Sequence, residues 1–435
     1  MNRQRARGSA RTRRQLVRAA VAGTALAVVL PVSGAEAADV DGGAPTVEEQ
    51  RLAQDEPREV LRRSGFDDAA PAFRHALGEA RSVGEAERVV VRHGKRLWQR
   101  AVDRVQGRGA AGGELSRGDD RPLYWARLGM TKALRSWSPS FALDEERRTR
   151  LLERLEVASR GHDSARLPAE SDGLRRVVVT GFDPFQLDED IRRSNPSGAA
   201  ALALDGAVVR TASGERARVE TMLFPVRWDD FADGMVETAL LPALRQGARQ
   251  TDALVTVSQG SPGRFDVERY NGAWRGGSPD NVRVSRAETV PVAPGVPTPV
   301  PQPQWTVTSL PYRAIVDADT GRFPVRDNTA VTEIPADGGE PVERPDGPTP
   351  GSTARAGGGG NYLSNEIAYR ATLLRDAVGA RIAGGHLHTP VLEFGEDNSA
   401  PDGGRVSDPV FERNREAISA QVREVVEVVA EHAGR

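Results

Sequence analysis

Val177-Val178-Val179-Thr180-Gly181-Phe182-Asp183-Pro184-Phe185 reads as a short apolar strand that runs directly into a turn. Consecutive β-branched residues suit a strand buried on both faces, as a parallel sheet covered by helices requires. The Asp183-Pro184 step ends it, because a residue before proline is held away from the helical region. Strand-like and helix-like stretches then alternate. Pro196 to Leu204 opens a helix with proline just inside its start, Val219 to Phe224 reads as a strand, and Trp228 to Leu244 as a helix. Leu254-Val255-Thr256-Val257 and Arg381 to Leu387 are further strands, and Pro409 to Ala433 is a closing helix with Phe411, Ile418, Val422, Val425, Val426 and Val429 on one side. This rhythm predicts an α/β fold over residues 174–433: a three-layer α/β/α sandwich around a largely parallel, twisted sheet, with the site in loops at the carboxyl ends of the strands.

Outward from that region the texture changes twice. Residues 46–160 carry apolar positions every three or four residues among many charges, including Phe73, Leu77, Leu97-Trp98 and Val102, and predict a small all-α domain before the sandwich. Trp98, Trp125 and Trp137 read as core packing rather than as a ligand platform, since tryptophan is mostly buried. Residues 286–357 interrupt the α/β rhythm with proline and glycine. They read as an insertion: an extended path over Pro291 to Pro303, a strand within Gln304 to Leu310, a hairpin or lid at Ile315 to Val325 set against a plain solvated loop, and disorder or a long surface loop from Asp337 to Gly360.

Residues 1–38 read as an export signal. Seven arginines between Arg3 and Arg18 precede a short apolar stretch, Ala19 to Val32, and Ala35-Glu36-Ala37 resembles a cleavage site. Arg13-Arg14 favours the twin-arginine route over the general secretory one. The expectation is a secreted, extracellular protein that is not held in a membrane once the signal is removed. The chain has 435 residues, 28% of them charged, and a formal net charge of −2, with no uniformly basic folded segment, so no nucleic-acid partner is implied. There is no cysteine. A core of this size needs no disulfides, and a secreted chain without thiols escapes their irreversible oxidation.

Three stretches carry the chemistry: Thr180 to Phe185; Gly263-Arg264 with Glu268, Asn271 and Pro279-Asp280-Asn281; and Tyr362-Leu363-Ser364-Asn365 with Gly385-His386-Leu387-His388-Thr389-Pro390. Together they resemble the pyroglutamyl peptidase I family of cysteine peptidases, in which glutamate, cysteine and histidine follow in that order. Ser364 stands where that family has its cysteine. The resemblance spans about Arg176 to Ala433 apart from the insertion. It implies a catalytic set of Glu268, Ser364 and His388, with Ser364 and His388 separated by 24 positions as in the family. It departs from the family where Glu268 and Asn271 stand two residues closer together, and where a longer spacer precedes Asn195-Pro196-Ser197.

In that set His388 would take the proton of Ser364 and Glu268 would hold the second imidazole nitrogen. Phe182, Phe185 and Asn195 would form the pocket for pyroglutamate, a neutral lactam suited by apolar walls. Ser364 lies between the glycines 357–360 and a helical pattern; taken alone it reads as a helix N-cap. A helix dipole helps a thiol ionise far more than a hydroxyl, so Ser364 needs a true general base. His386 and His388 share a strand face and raise a metal reading with Glu393, Glu396 or Asp397, but no third ligand has a recognisable spacing, and neither a metal nor a cofactor is assigned. The expected partner is a peptide bearing an N-terminal pyroglutamyl group. Two alternatives stand beside hydrolysis: a pseudoenzyme that binds capped peptide N-termini, and a serine hydrolase for another acyl or lactam substrate.

Overall fold

The computed structural model describes residues 43–110 and 112–434, so the export signal expected at 1–38 lies outside the described residues. Helices come first: α1 (Val47–Gln50), α2 (Asp55–Ser64), α3 (Ala69–Gly78), α4 (Val83–Val105), α5 (Arg121–Arg135) and α6 (Glu145–Ser159). The α/β part begins with β1 (Arg175–Phe182), α7 (Pro196–Leu204), β2 (Val208–Arg210), β3 (Arg216–Phe224), α8 (Trp228–Ala232), α9 (Met235–Leu244), β4 (Ala253–Gln259) and β5 (Phe265–Glu268). Short elements follow: β6 (Tyr270–Gly272), β7 (Trp274–Gly276), β8 (Ala287–Thr289), β9 (Trp305–Val307), α10 (Tyr312–Asp317), β10 (Val325–Asn328), β11 (Val331–Ile334), β12 (Val342–Arg344) and β13 (Thr353–Ala356). The chain closes with α11 (Leu363–Ala377), β14 (Ala383–Thr389) and α12 (Pro409–His432).

The main sheet has the order β10-β5-β14-β4-β1-β3-β2. Neighbours β14, β4, β1 and β3 run parallel, whereas β2 on β3 and β5 on β14 are antiparallel. One face of this sheet carries Val177, Val179, Val255, Val257 and Leu387 against α7 and α12. The opposite face carries Val178, Phe182, Met222 and Leu254 against α9 and α11. This is the α/β/α sandwich that the alternation predicted, and the strand period of two explains why both faces are apolar.

Two helix boundaries depart from expectation for local reasons. The helix expected over Trp228 to Leu244 is two, because Gly234 adopts φ 83° between α8 and α9, and a Cβ there would press on Ala293. Glycine alone takes that backbone without strain. Ser364 is not a helix N-cap: Tyr362 holds that position, and Ser364 lies inside the first turn of α11.

The six leading helices do not stand apart from the sandwich. Leu97, Trp98, Leu123, Leu134 and Leu155 share one apolar core with Ala201 and Leu202 of α7 and Leu223 of β3. Trp98 also donates to Asp205 Oδ2 at 3.2 Å. Trp98 and Trp125 are buried in the core, and Trp137 packs half-buried against it. The 286–357 segment is likewise folded rather than a solvated loop. Ile315 is fully buried in the main core, β9 pairs with β6, and β10 extends the main sheet alongside β5. The stretch read as a hairpin or lid is α10 followed by the approach to β10. Within the three-stranded β12-β11-β13 sheet, burial pushes the Glu333 carboxyl up, but hydrogen bonds from Thr349 and Arg344 outweigh it and hold the group down at about 2. A buried carboxylate satisfied in this way organises a turn that carries too few apolar residues to announce itself.

Leu202→Ala removes apolar volume from the seam between helices and sheet and is expected to destabilise the protein by about 2–5 kcal/mol. In guanidinium titrations followed by circular dichroism and tryptophan fluorescence, both signals are expected to move together to lower denaturant. Two separated transitions would show that the helices and the sheet do not share a core energetically.

Candidate active site

The site is built where β14 lies between parallel β4 and antiparallel β5. Residues directly opposite in neighbouring strands share a face. Thr256 and Ser258 of β4 stand beside His386 and His388 of β14, which stand opposite Glu268 and Asp266 of β5. All six therefore project to one side, where the sheet face that is apolar at Leu254 becomes polar. The intervening Val257, Leu387 and Val267 project to the other side into the core beneath α12.

On the polar side His388 Nδ1 lies 2.6 Å from Glu268 Oε1, with Glu268 almost completely buried. His386 stacks edge-on against His388, with ring centroids 4.8 Å apart. Both of its nitrogens are engaged at 2.8 Å, by the Thr256 and Ser258 hydroxyls. Burial and the neighbouring His388 hold His386 well below the usual imidazole range. With both nitrogens committed to hydroxyls, His386 does not form a chelating pair with His388, and among the described residues no cluster of three metal-ligating side chains occurs.

Ser364 reaches the same cavity from the N-terminus of α11. Its hydroxyl is half-buried and donates to Gly359 O at 3.1 Å; no hydrogen bond joins it to His388. The next residue anchors the helix start: Asn365 accepts from Gly272 N and donates to the Gly272 and Trp274 carbonyls, each at 2.9 Å. The first-turn N–H groups, which lack intrahelical acceptors, are left at the positive end of the helix beside Ser364. Glycines make the close approach possible. A Cβ on Gly260 would collide with the His388 ring, and one on Gly358 would collide with Glu268 Oε2.

The cavity, of about 650 Å³, is lined by Phe185, Tyr362, Glu268, Ser364 and His388. Phe185 and Tyr362 stack with centroids 6.2 Å apart, and the Tyr362 hydroxyl donates to Pro279 O at 3.0 Å. A larger cavity of about 960 Å³ opens between the leading helices and α9, but none of Glu268, Ser364 and His388 lies on it. Convergence of polar groups rather than size marks the site.

Two residues expected in the pocket are elsewhere. Phe182 falls on the same strand face as Val178 and packs against Phe231 in the core, at 3% exposure. Asn195 is the N-cap of α7: its oxygen accepts from Ser197 and its nitrogen donates to Asp183 O, so both ends of the amide are used in holding the turn after β1.

The residues missed by the sequence come from outside the three motifs. Asn328 of β10 donates to Glu268 Oε2 at 2.6 Å and to Gly358 O at 3.2 Å. Arg264 and Arg326 both bind the Asp266 carboxylate beside His388. Asp183 takes Arg127 and Arg160 from the leading helices, and Asn281 bridges Pro184 O and Glu48. At the rim, hydrogen bonds from Arg283 and Arg51 hold the Asp188 carboxyl down at about 2. No pattern within the motifs pointed to Asn328, because its strand is an edge strand with little apolar alternation.

Comparison with known proteins gives matches to two domains. Residues 32–156 match the PA0049 N-terminal domain, and residues 176–302 and 322–393 match the PA0049 C-terminal domain. A protein of Pseudomonas aeruginosa, uncharacterized protein PA0049, is 34% identical over 456 residues, covering 84% of this chain and 82% of that protein. Among solved structures, a mutant pyrrolidone carboxyl peptidase of the hyperthermophile Pyrococcus furiosus is 22% identical, with a TM-score of 0.39, over 59% of this chain and 99% of the other. Pyroglutamyl peptidase I of Bacillus amyloliquefaciens is 19% identical, with a TM-score of 0.38, over 59% and 98%.

The buried neutral His386 predicts a pH dependence. The unfolded chain takes up a proton there near pH 6.5, while the folded chain resists it until much lower pH. The unfolded state therefore binds more protons below that value, so stability is complete above about pH 6.5 and declines beneath it by up to about 1.4 kcal/mol per pH unit. His162, pushed down to about 4 by burial, acts in the same direction in any variant. His386→Gln is expected to flatten the loss of stability measured in denaturant between pH 7.5 and 5; an unchanged slope would contradict this role.

Proposed function

This chain belongs to the PA0049 protein family, and from that premise we propose that it is an exported hydrolase that removes N-terminal pyroglutamyl groups from peptides, with Ser364 in the place of the cysteine of pyroglutamyl peptidase I. The observation that carries the reading is the buried Glu268–His388 pair at 2.6 Å in the cavity that Ser364 enters from a helix N-terminus. The motif resemblance supports the choice of substrate, and the Phe185–Tyr362 wall suits a flat, uncharged lactam ring. Export rests on the arginine-rich leader and its cleavage pattern.

In this mechanism Glu268 keeps the proton on His388 Nδ1, which leaves Nε2 as the base. Ser364 turns its hydroxyl from Gly359 O toward that nitrogen and attacks the carbonyl carbon of the pyroglutamyl residue, and His388 takes the hydroxyl proton. First-turn N–H groups of α11 receive the charge that develops on the carbonyl oxygen. The C–N bond breaks as His388 returns the proton to the departing amine. Water, deprotonated in turn by His388, then cleaves the ester and frees pyroglutamate and Ser364.

One observation favours a second reading: the Ser364 hydroxyl is bonded to Gly359 O and not to His388. On that reading the protein binds capped peptide N-termini without cleaving them. A chromogenic pyroglutamyl amide separates the two. Turnover by the native protein is expected, with a loss of about a thousandfold or more in Ser364→Ala. Ser364→Cys is expected to retain or exceed native turnover, because the helix N-terminus and His388 favour a thiolate. Saturable binding of the amide with no turnover in either the native protein or Ser364→Cys would sink the hydrolase and leave the binding protein.

A further inference from the structure

We infer that Asn328, at the end of the edge strand β10, is a positioning residue that couples the Glu268 carboxylate to the glycine loop beneath Ser364. The inference rests on the hydrolase reading and adds a residue to it from outside the motifs.

Glu268 is 1% exposed, so water is not at hand to satisfy its carboxylate. One oxygen serves His388 at 2.6 Å, and the other is served by Asn328 Nδ2 at 2.6 Å. The second hydrogen of the same amide nitrogen goes to Gly358 O at 3.2 Å. Both partners are acceptors, so only the NH2 end of Asn328 fits here, and its orientation follows from chemistry.

Parallel pairing of β10 with β5 sets Asn328 directly beside Glu268, so the amide approaches from the strand edge. Gly358 lies so close to Glu268 Oε2 that no side chain fits between them. The next carbonyl, Gly359 O, is the acceptor of the Ser364 hydroxyl. One neutral amide therefore spans the acid and the loop that orients the nucleophile. Arg264 and Arg326 bind Asp266 instead, so the second oxygen of Glu268 is met by a neutral amide and not by a guanidinium.

The charged and titratable groups around the pair are His386 from β14, Asp266 and Arg264 on and just before β5 and Arg326 from β10, with Arg51, Asp188, Glu189, Asp280 and Tyr362 on the remaining cavity lining. Glu366 on α11 is turned to Arg370 and Arg275 instead.

The test uses the full-length protein with Asn328→Ala and Asn328→Asp, the latter close to the native side chain in size. On the pyroglutamyl amide, Asn328→Ala is expected to lower kcat by about ten- to a hundredfold with KM nearly unchanged. In Asn328→Asp a second carboxylate beside Glu268 is expected to move the acid limb of kcat/KM, and the NMR titration of the His388 ring assigned by its loss in His388→Gln, to higher pH. A role in packing alone would lower the melting temperature and leave both profiles in place. If both variants show native kcat and a native His388 titration, the inference is overturned; if Asn328→Ala does not fold, the Asn328→Asp titration decides. A native protein inactive on every pyroglutamyl substrate would remove the hydrolase reading, while the His388 titration still tests whether Asn328 controls the pair.

Discussion

The antiparallel pairing of β5 with β14 is the constraint on which the site depends. Every strand on the other side of β14 as far as β3 runs parallel, and a parallel neighbour at this edge would need a long crossover to deliver its residues. The antiparallel β5 reaches it within the few residues after β4. It puts Glu268 opposite His386 and one diagonal step from His388, a distance that a long side chain spans. The same pleat sends Phe265, Val267 and Leu387 into the core under α12, so the strands that carry the polar row are held by apolar burial on their reverse side. Shifting the register by one residue would turn the carboxylate into that core and the valine toward the cavity.

How much of this was legible follows from the range over which each signal acts. β1, β4, α7 and α12 are local patterns of adequate length, and they fold about where periodicity put them. β5 and β10 have four residues each, too short for a period to stand out, and their pairing is a tertiary event. Asn328 was invisible for that reason. Phe182 misled differently. The turn suggested an aromatic pair aimed one way, and Phe182 does lie on the sheet face that carries His386 and His388, but Phe231 of α8 packs over it, while Phe185 lies beyond the Asp183-Pro184 step and lines the cavity. Asn195 was legible as a motif but not in its task, since a cap spends the same amide groups that a ligand would need.

The leading helices act on the cavity by fixing the turn that carries Phe185. Asp183 is 1% exposed and is met by two buried guanidiniums, from Arg127 and Arg160. Such pairs add little net stability compared with apolar packing, but losing one partner strands a buried charge at a cost of about 3–5 kcal/mol. They therefore specify a position more than they stabilise it. Asn281 extends the same logic across the mouth: it holds Pro184 O at 2.8 Å and bonds Glu48, while Arg51 donates to its carbonyl at 2.7 Å. The helices and the sandwich are thus joined at the turn as well as through the Leu202 and Leu223 core.

A hydroxyl at the start of α11 gives these supports a sharper purpose than a thiol would. The field of a helix N-terminus makes a thiolate accessible at neutral pH and lets a cysteine act with modest help from its base. The same field leaves a serine protonated, so on the proposed hydrolase reading the burden of activation passes to His388 and, through it, to the orientation of Glu268. The chain has no cysteine anywhere, and around this pair it has a carboxylate with both oxygens engaged, glycines that admit no side chain, and an edge strand whose last residue donates to the acid. On the proposed hydrolase reading they hold the imidazole in one tautomer and one direction beside a weak nucleophile.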